Sequence, residues 1–101
     1  MRIIVFFDLP TETLNQQRAY RKFRKTLINE GFIMMQESVY SKLALNMSII
    51  ASAKEKVEKN KPAKGLVQVL TITEKQFASI DTIVGESTTE KLDTTDRLVI
   101  I

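Results

Sequence analysis

The stretch RIIVFFDLPTET, residues 2–13, decides the fold. It opens with an uninterrupted apolar, β-branched and aromatic run, which predicts a strand buried on both faces and ending at Asp8. Pro10 has no N–H to donate and therefore breaks the ladder. Either Thr11 or Thr13 can then cap a helix.

That helix is predicted to run to about Glu30 and to end at Gly31. At about 100° per residue, one face is apolar and should pack on the sheet. Its members are Ala19, Tyr20, Phe23 and Leu27.

The opposite face of the helix is purely cationic. It holds Arg18, Arg21, Lys22 and Lys25, with Arg24 between the two faces. Arginine suits bidentate phosphate contacts. The pattern predicts binding to a nucleic-acid backbone, and the alternative is an ordinary solvated surface. A second basic stretch, Lys54 to Lys64, is diluted by two acids.

Two further strands and a second helix are expected downstream. Residues 32–43 are strand-like, with either a tight turn or a bulge at Gln36-Glu37. Asn46 is predicted to cap a helix that extends to about Asn60 and ends in the sequence KPAKG. The expected inner face of this helix comprises Met47, Ile50, Ala53 and Val57.

LVQVLTIT, residues 66–73, predicts the next strand, and the sequence T-E-K-Q that starts at Thr73 matches a capping box before a helical turn. Ile80 to Val84 is predicted to form a short strand closed by Gly85. We expect one domain over residues 1–85.

The C-terminal sequence divides into two parts. Residues 86–96 are polar and resemble a linker, whereas the chain ends on four apolar, mostly β-branched residues, Leu98, Val99, Ile100 and Ile101. We expect residues 97–101 to form a strand on the sheet of a second protomer.

The order strand, helix, strand, helix, strand predicts an α+β fold, a ferredoxin-like sandwich with an antiparallel sheet and both helices on one face. The other face of the sheet then needs cover, which a homodimer supplies. The fold alone identifies no function.

Composition narrows the chemistry. The chain has 101 residues, 44% of them hydrophobic, a formal net charge of +3, no Cys and no His. Disulfides and thiolate metal sites are therefore excluded, and a cytoplasmic location is expected. The longest apolar run is far shorter than the roughly 20 residues of a membrane span, and no signal peptide is expected.

Asp8 is the carboxylate whose position suggests a catalytic or metal-binding role. It ends a buried strand, so two copies facing each other in a dimer could hold Mg²⁺. The alternative is that Asp8 accepts hydrogen bonds from the turn before Pro10. Ser38 and Tyr40 could add hydrogen bonds near Asp8 if their strand is adjacent, although Ser38 lacks a partner to activate it as a nucleophile.

These segments resemble the CRISPR-associated protein 2 family, particularly its type II form. The resemblance rests on FFDLPTET, on RAYRKFRKTLINEGFIMMQESVYSKL, on LTITEKQF and on the closing RLVII, in order over nearly the whole chain. It implies a ferredoxin-like homodimer whose C-terminal strand is exchanged between protomers. It also implies that the dimer bridges two dimers of the integrase subunit, CRISPR-associated protein 1, and holds a double-stranded DNA prespacer by its phosphates.

Members of the family are also described as metal-dependent endoribonucleases or DNases, with the strand-end aspartate as the Mg²⁺ ligand. Asp8 occupies that position, and Ser38 and Tyr40 match the nearby Ser-Val-aromatic segment. Phe7 stands where many members have Tyr, and Gln16-Gln17 lies where others have basic residues. We therefore favour a scaffold over an enzyme. A Mg²⁺-dependent phosphodiesterase is the alternative, and a toxin-type ribonuclease is a third hypothesis.

Overall fold

The computed structural model describes residues 1–85, which contain four strands and three helices in the order β1, α1, β2, β3, α2, β4, α3. The strands are β1 Arg2–Asp8, β2 Ile33–Gln36, β3 Val39–Leu43 and β4 Leu66–Ile72. The helices are α1 Leu14–Asn29, α2 Met47–Lys59 and α3 Glu74–Ala78. The predicted linker, 86–96, and the predicted terminal strand, 97–101, lie outside the described residues.

The strands form one antiparallel sheet in the order β2-β3-β1-β4. The first strand is central, and its Phe6 lies opposite Val39 of β3 and Gln68 of β4. Together with the element order, this strand order is that of a ferredoxin-like sandwich. The predicted α+β class and antiparallel sheet are confirmed.

Side chains cap the three helices as their sequences predict. Thr13, not Thr11, caps α1: its Oγ1 accepts a hydrogen bond from the backbone N of Gln16 at 3.1 Å, and Gln16 Oε1 accepts one from Thr13 N at 3.0 Å. Asn46 caps α2 and Thr73 caps α3, the latter in the predicted capping box. Each cap satisfies backbone donors that have no partner within the helix.

The core lies between one face of the sheet and both long helices. We call this the covered face. Alternate residues of β1 point into it and meet the buried side chains of α1 and α2. The buried cluster comprises Ile3, Val5, Phe7, Phe23, Leu27, Phe32, Tyr40, Ala53 and Val57.

The segment around Gln36-Glu37 contains both features that the sequence left open. Glu37 and Ser38 form the turn between β2 and β3, with Ser38 at a positive φ of 67°. The register of the two strands also shifts between Met34 and Gln36, which is a bulge. The segment is therefore a bulged hairpin.

Two predictions are wrong. Ile80 to Val84 do not form a strand. Ile80 N bonds back to Phe77 O at 3.3 Å, Ile83 and Val84 are exposed, and no strand of residues 1–85 pairs with the segment. Met47 does not belong to the inner face of α2: it lies in the first turn and is 60% exposed.

Candidate nucleic-acid interface and strand-end carboxylate

The cationic face of α1 is fully presented to solvent. All five predicted residues are exposed: Arg18, Arg21, Lys22, Arg24 and Lys25. Their orientation follows from packing, because burial of Phe23 and Leu27 on the sheet turns the other side of the helix outward.

Few acids are available to neutralise this face. The helix itself, Leu14–Asn29, contains no Asp or Glu. Within residues 1–85, the side-chain ion pairs are Arg2 with Glu74 and Lys56 with Glu30, and none of the five cations takes part in one. Unpaired cations on one rigid helix produce a positive potential that attracts a polyanion.

Tyr20 is the other aromatic residue of α1, and it points away from the cationic face. Its ring lies 5.9 Å from that of Phe7, and the Phe23 ring lies 5.1 Å from the same ring, both edge to face. The two aromatic side chains therefore support the core and are not available as a platform for base stacking.

Asp8 lies at the end of β1, on the side of the sheet away from the helices. It alternates with the core residues of β1, so its side chain shares the uncovered side with those of Ile4 and Phe6. We call this the open face. Asp8 is exposed and lies opposite Leu66 of β4.

The carboxylate of Asp8 forms no side-chain hydrogen bond or ion pair with any residue of the described chain, 1–85. The structure therefore gives no support to the alternative in which Asp8 binds the N–H groups of the turn before Pro10. The side chain is available to a ligand or to another chain.

Ser38 and Tyr40 are placed differently from each other. Ser38 is next to the end of β1, and its backbone O accepts a hydrogen bond from Phe7 N at 3.1 Å. Tyr40 lies opposite Val5 on the covered face, is 1% exposed and stacks on Phe7 at 5.9 Å. The expected adjacency to the strand end holds for Ser38, whereas Tyr40 belongs to the core.

Asp8 alone does not make a metal site. Among residues 1–85, no three His, Cys, Asp or Glu side chains lie together as a ligand group. Mg²⁺ demands six oxygen ligands in near-ideal geometry and usually keeps several waters. One carboxylate per chain could hold such an ion only together with other oxygen ligands, namely waters, substrate phosphates or a carboxylate of a second chain.

The open face is the feature least apparent from the sequence. It carries large apolar side chains that are about half exposed: Ile33 at 63%, Leu43 at 50%, Leu66 at 55% and Leu70 at 49%. The alternation of residue types in LVQVLTI could have predicted this face. Its valines face the helices, and its leucines face the other side of the sheet.

Helix α3 contacts the open face at the start of β1. The guanidinium of Arg2 donates to both carboxylate oxygens of Glu74, at 3.0 and 2.7 Å, and lies 4.1 Å from the centroid of the Phe77 ring. These hydrogen bonds from Arg2, with its charge, hold the pKa of Glu74 below its ordinary value of 4.5. This pair could not be predicted from the sequence, because its members are 72 positions apart in the chain.

A family model described as CRISPR associated protein Cas2 matches residues 1–80. The chain belongs to the Cas2 family. The protein named CRISPR-associated endoribonuclease Cas2 from Treponema denticola is 56% identical over 101 residues, with both chains covered completely. A protein of the same name from Streptococcus mutans serotype c (strain UA159) is 48% identical over 101 residues, covering 100% of this chain and 93% of its own.

A solved Cas2 structure supports the fold. The crystal structure of Streptococcus pyogenes Cas2 at pH 6.5 superposes with a TM-score of 0.64, covering 83% of this chain and all of that chain, at 16% identity. The resemblance inferred from FFDLPTET and SVYSKL is thereby confirmed at the level of the family. Among the helices of residues 1–85, none is long and apolar enough to cross a membrane.

Proposed function

We propose that this chain is the dimeric scaffold subunit of CRISPR spacer acquisition. In this role the dimer bridges two dimers of the CRISPR-associated protein 1 integrase and binds a double-stranded DNA prespacer. The observation that supports the proposal is the exposed cationic face of α1, whose five basic side chains have no ion-pair partner within residues 1–85.

The DNA is bound through its phosphates. Arg and Lys on a helix surface contact backbone oxygens, which carry no sequence information. The aromatic residues of α1 are turned into the core, so base stacking does not contribute. Binding is therefore strong in low salt, falls steeply as salt rises and is the same for unrelated duplexes.

The experiment is a salt series. Duplex affinity is measured from low to moderate salt for the wild type, Arg18→Ala and Arg21→Ala, with the integrase subunit present in a parallel set. Each lost phosphate contact should lower the log–log slope by about 0.9. Lys75→Ala is the matched control, because Lys75 is an exposed cation on α3. Wild-type slopes in both arginine variants would refute the assignment of α1.

The proposed dimer covers the open face. Four half-exposed apolar side chains on one surface are costly to leave in water, and a second copy of the chain presents the same surface.

The apolar residues Leu98 to Ile101 are proposed to add a strand to the partner's sheet. Deletion of residues 97–101 should then give monomer or aggregate by sedimentation, and a stable, soluble dimer after truncation would contradict the strand exchange.

A Mg²⁺-dependent nuclease is the second candidate. Its support is the exposed Asp8 at the end of β1 and the word endoribonuclease in the names of the relatives. If two open faces pack together about an axis near the ends of the β1 strands, two Asp8 carboxylates face each other and could hold one ion. Such an ion supplies charge compensation and an activated water for phosphodiester cleavage. Within residues 1–85 of one chain, no three His, Cys, Asp or Glu side chains lie together as a ligand group.

Asp8→Ala separates the two candidates. Under the scaffold proposal the variant supports spacer acquisition at near wild-type frequency, because phosphate contacts and dimerisation need no carboxylate at position 8. Under the nuclease proposal it loses cleavage of RNA or DNA. Circular dichroism and sedimentation establish that the variant is a folded dimer. If that folded dimer fails in acquisition, Asp8 has a catalytic or metal-binding duty and the scaffold proposal is wrong.

A further inference from the structure

Gly65 lies where two backbones come unusually close. It precedes β4 directly, and its neighbour Leu66 is paired with Asp8 at the end of β1. A Cβ built on Gly65 would be 2.8 Å from the carbonyl O of Asp8, 3.2 Å from the Cα of Leu9 and 2.6 Å from the Cδ2 of Leu9. Its φ is +107°, a conformation that side-chain-bearing residues rarely adopt.

The contacts at position 65 differ in how easily they can be relieved. The Cδ2 atom is the far end of a flexible side chain, and Leu9 borders a cavity of about 280 Å³ that is also lined by Pro10, Pro62 and Ala63. That contact can therefore be relieved by a change of the Leu9 side-chain rotamer. The carbonyl O of Asp8 is backbone, so a side chain at position 65 is accommodated only if the peptide of Asp8 or the loop before β4 shifts.

We infer that Gly65 is a positioning residue for Asp8. By lacking a side chain, it lets the loop before β4 lie against the end of β1 and fixes the backbone from which the Asp8 carboxylate projects on the open face. The inference deepens the nuclease proposal and rests on it where activity is concerned. The position of Asp8, however, can be measured without any reaction.

Gly65→Ala is the test, and the chain offers a matched control. Gly85 has the same φ of +107°, but a Cβ there meets no described atom within 4 Å. Gly85→Ala therefore imposes the same backbone strain without the collision. Both variants are made in the full-length dimer, and the side-chain carboxyl carbon of Asp8 and the amides of residues 8 and 9 are followed by NMR. We expect these signals to move in Gly65→Ala only, while α1 signals and duplex affinity stay at wild-type values.

Cleavage of a single RNA or DNA substrate is the second readout. A displacement of several tenths of an ångström should lower kcat by about 10- to 100-fold with KM unchanged, provided that the substrate is held by the phosphate contacts proposed for α1. Gly85→Ala should stay within about twofold of the wild type. If Gly65→Ala does not fold, the comparison is repeated in the Leu9→Ala background, which removes the 2.6 Å contact and keeps the 2.8 Å contact.

The outcomes are distinguishable. If Asp8→Ala cleaves as fast as the wild type, the nuclease proposal fails, and the NMR comparison alone decides the role of Gly65. If the Asp8 signals in Gly65→Ala coincide with those in Gly85→Ala, the positioning role is wrong, whatever the enzyme assay shows. If Asp8→Ala abolishes cleavage, but Asp8 moves in Gly65→Ala and kcat is unchanged, Gly65 does not act on the reaction through Asp8, and the inference also falls.

Discussion

The two faces of the sheet come from the same strands but have different surroundings. On the covered face, Ile3, Val5 and Phe7 of β1 are at most 7% exposed and pack against both long helices. On the open face, Leu66 and Leu70 of β4 are about half exposed. Within residues 1–85, both long helices cover the covered face, whereas large apolar side chains of the open face stay about half exposed.

The covered face stabilises the fold, whereas the open face is available to partners. The covered face holds the buried aromatic cluster, whose close packing stabilises a single arrangement of helices on the sheet. The open face holds Asp8, whose carboxylate has no hydrogen-bond or ion-pair partner within residues 1–85, beside large apolar side chains that are about half exposed. We therefore expect substitutions on the covered face to change stability and those on the open face to change association.

The largest effect is expected at Phe23, which is 1% exposed and packs edge to face on Phe7 at 5.1 Å. Phe23→Ala removes the ring from a close-packed site and should lower the free energy of unfolding by about 3–5 kcal/mol. Urea denaturation followed by circular dichroism measures it. A loss below about 1 kcal/mol would show that the covered face is not the stabilising one.

The covered face was partly predictable from the sequence. Phe23 and Leu27 recur at helical spacing, which predicted the inner side of α1. The run Ile3 to Phe7 is continuously apolar, so it predicted a buried strand without showing which of its residues face the helices. Capping residues predicted where the helices begin. Asn46 was the predicted cap of α2, and Thr13 was one of two candidates for α1.

The next effect concerns the open face, at Leu70. Leu70→Asp should leave the domain folded, because the position is 49% exposed, and should weaken self-association by about 100-fold or more, because an unpaired carboxylate would be buried between two copies. Sedimentation over a concentration series measures the dissociation constant. Leu14→Asp is the control, since Leu14 is 67% exposed at the start of α1. Equal dimer affinity for the two variants would mean that the open face is not the interface.

The open face and its edges were less predictable, for identifiable reasons. Period two says that Tyr40 and Ser41 point to opposite sides, but not which side the helices cover, so Tyr40 was expected near Asp8 and is in the core. Ile80 to Val84 has strand composition, yet a strand needs a neighbour with free backbone groups. The close approach at Gly65 depends on β1 and β4 meeting, which local sequence does not specify.

A smaller effect is expected from a buried hydroxyl group on the covered face that has no hydrogen-bond partner within residues 1–85. Thr71 lies opposite Ile3, and its Oγ1 is buried without a hydrogen-bond partner among residues 1–85. Thr71→Val removes the unpaired hydroxyl and keeps the shape of the side chain, so it should raise the free energy of unfolding by about 1 kcal/mol. The control substitution on the open face is Gln68→Val. It changes an exposed side chain and should leave the stability of the isolated domain nearly unchanged. Equal urea midpoints for Thr71→Val and the wild type would indicate that the hydroxyl has a partner in solution.

The smallest effect is pH-dependent and lies at the edge of the open face, where Arg2 holds Glu74 of α3. Because hydrogen bonds from Arg2 lower the pKa of Glu74 in the folded chain, the pair stabilises the folded state above the ordinary carboxyl pKa of 4.5. That contribution is lost as pH falls below 4.5 and through the depressed pKa, since protonation removes the charge that Arg2 binds. Comparing the stability of the wild type with that of Glu74→Gln from pH 7 down to pH 3 should show a small difference at neutral pH that shrinks at the acid end. Added salt should reduce it as well, because the pair is solvent-exposed. A difference that stays constant over the whole pH range would show that Glu74 anchors α3 by shape and neutral hydrogen bonds, and that the charge of Arg2 is not what holds the helix at this edge.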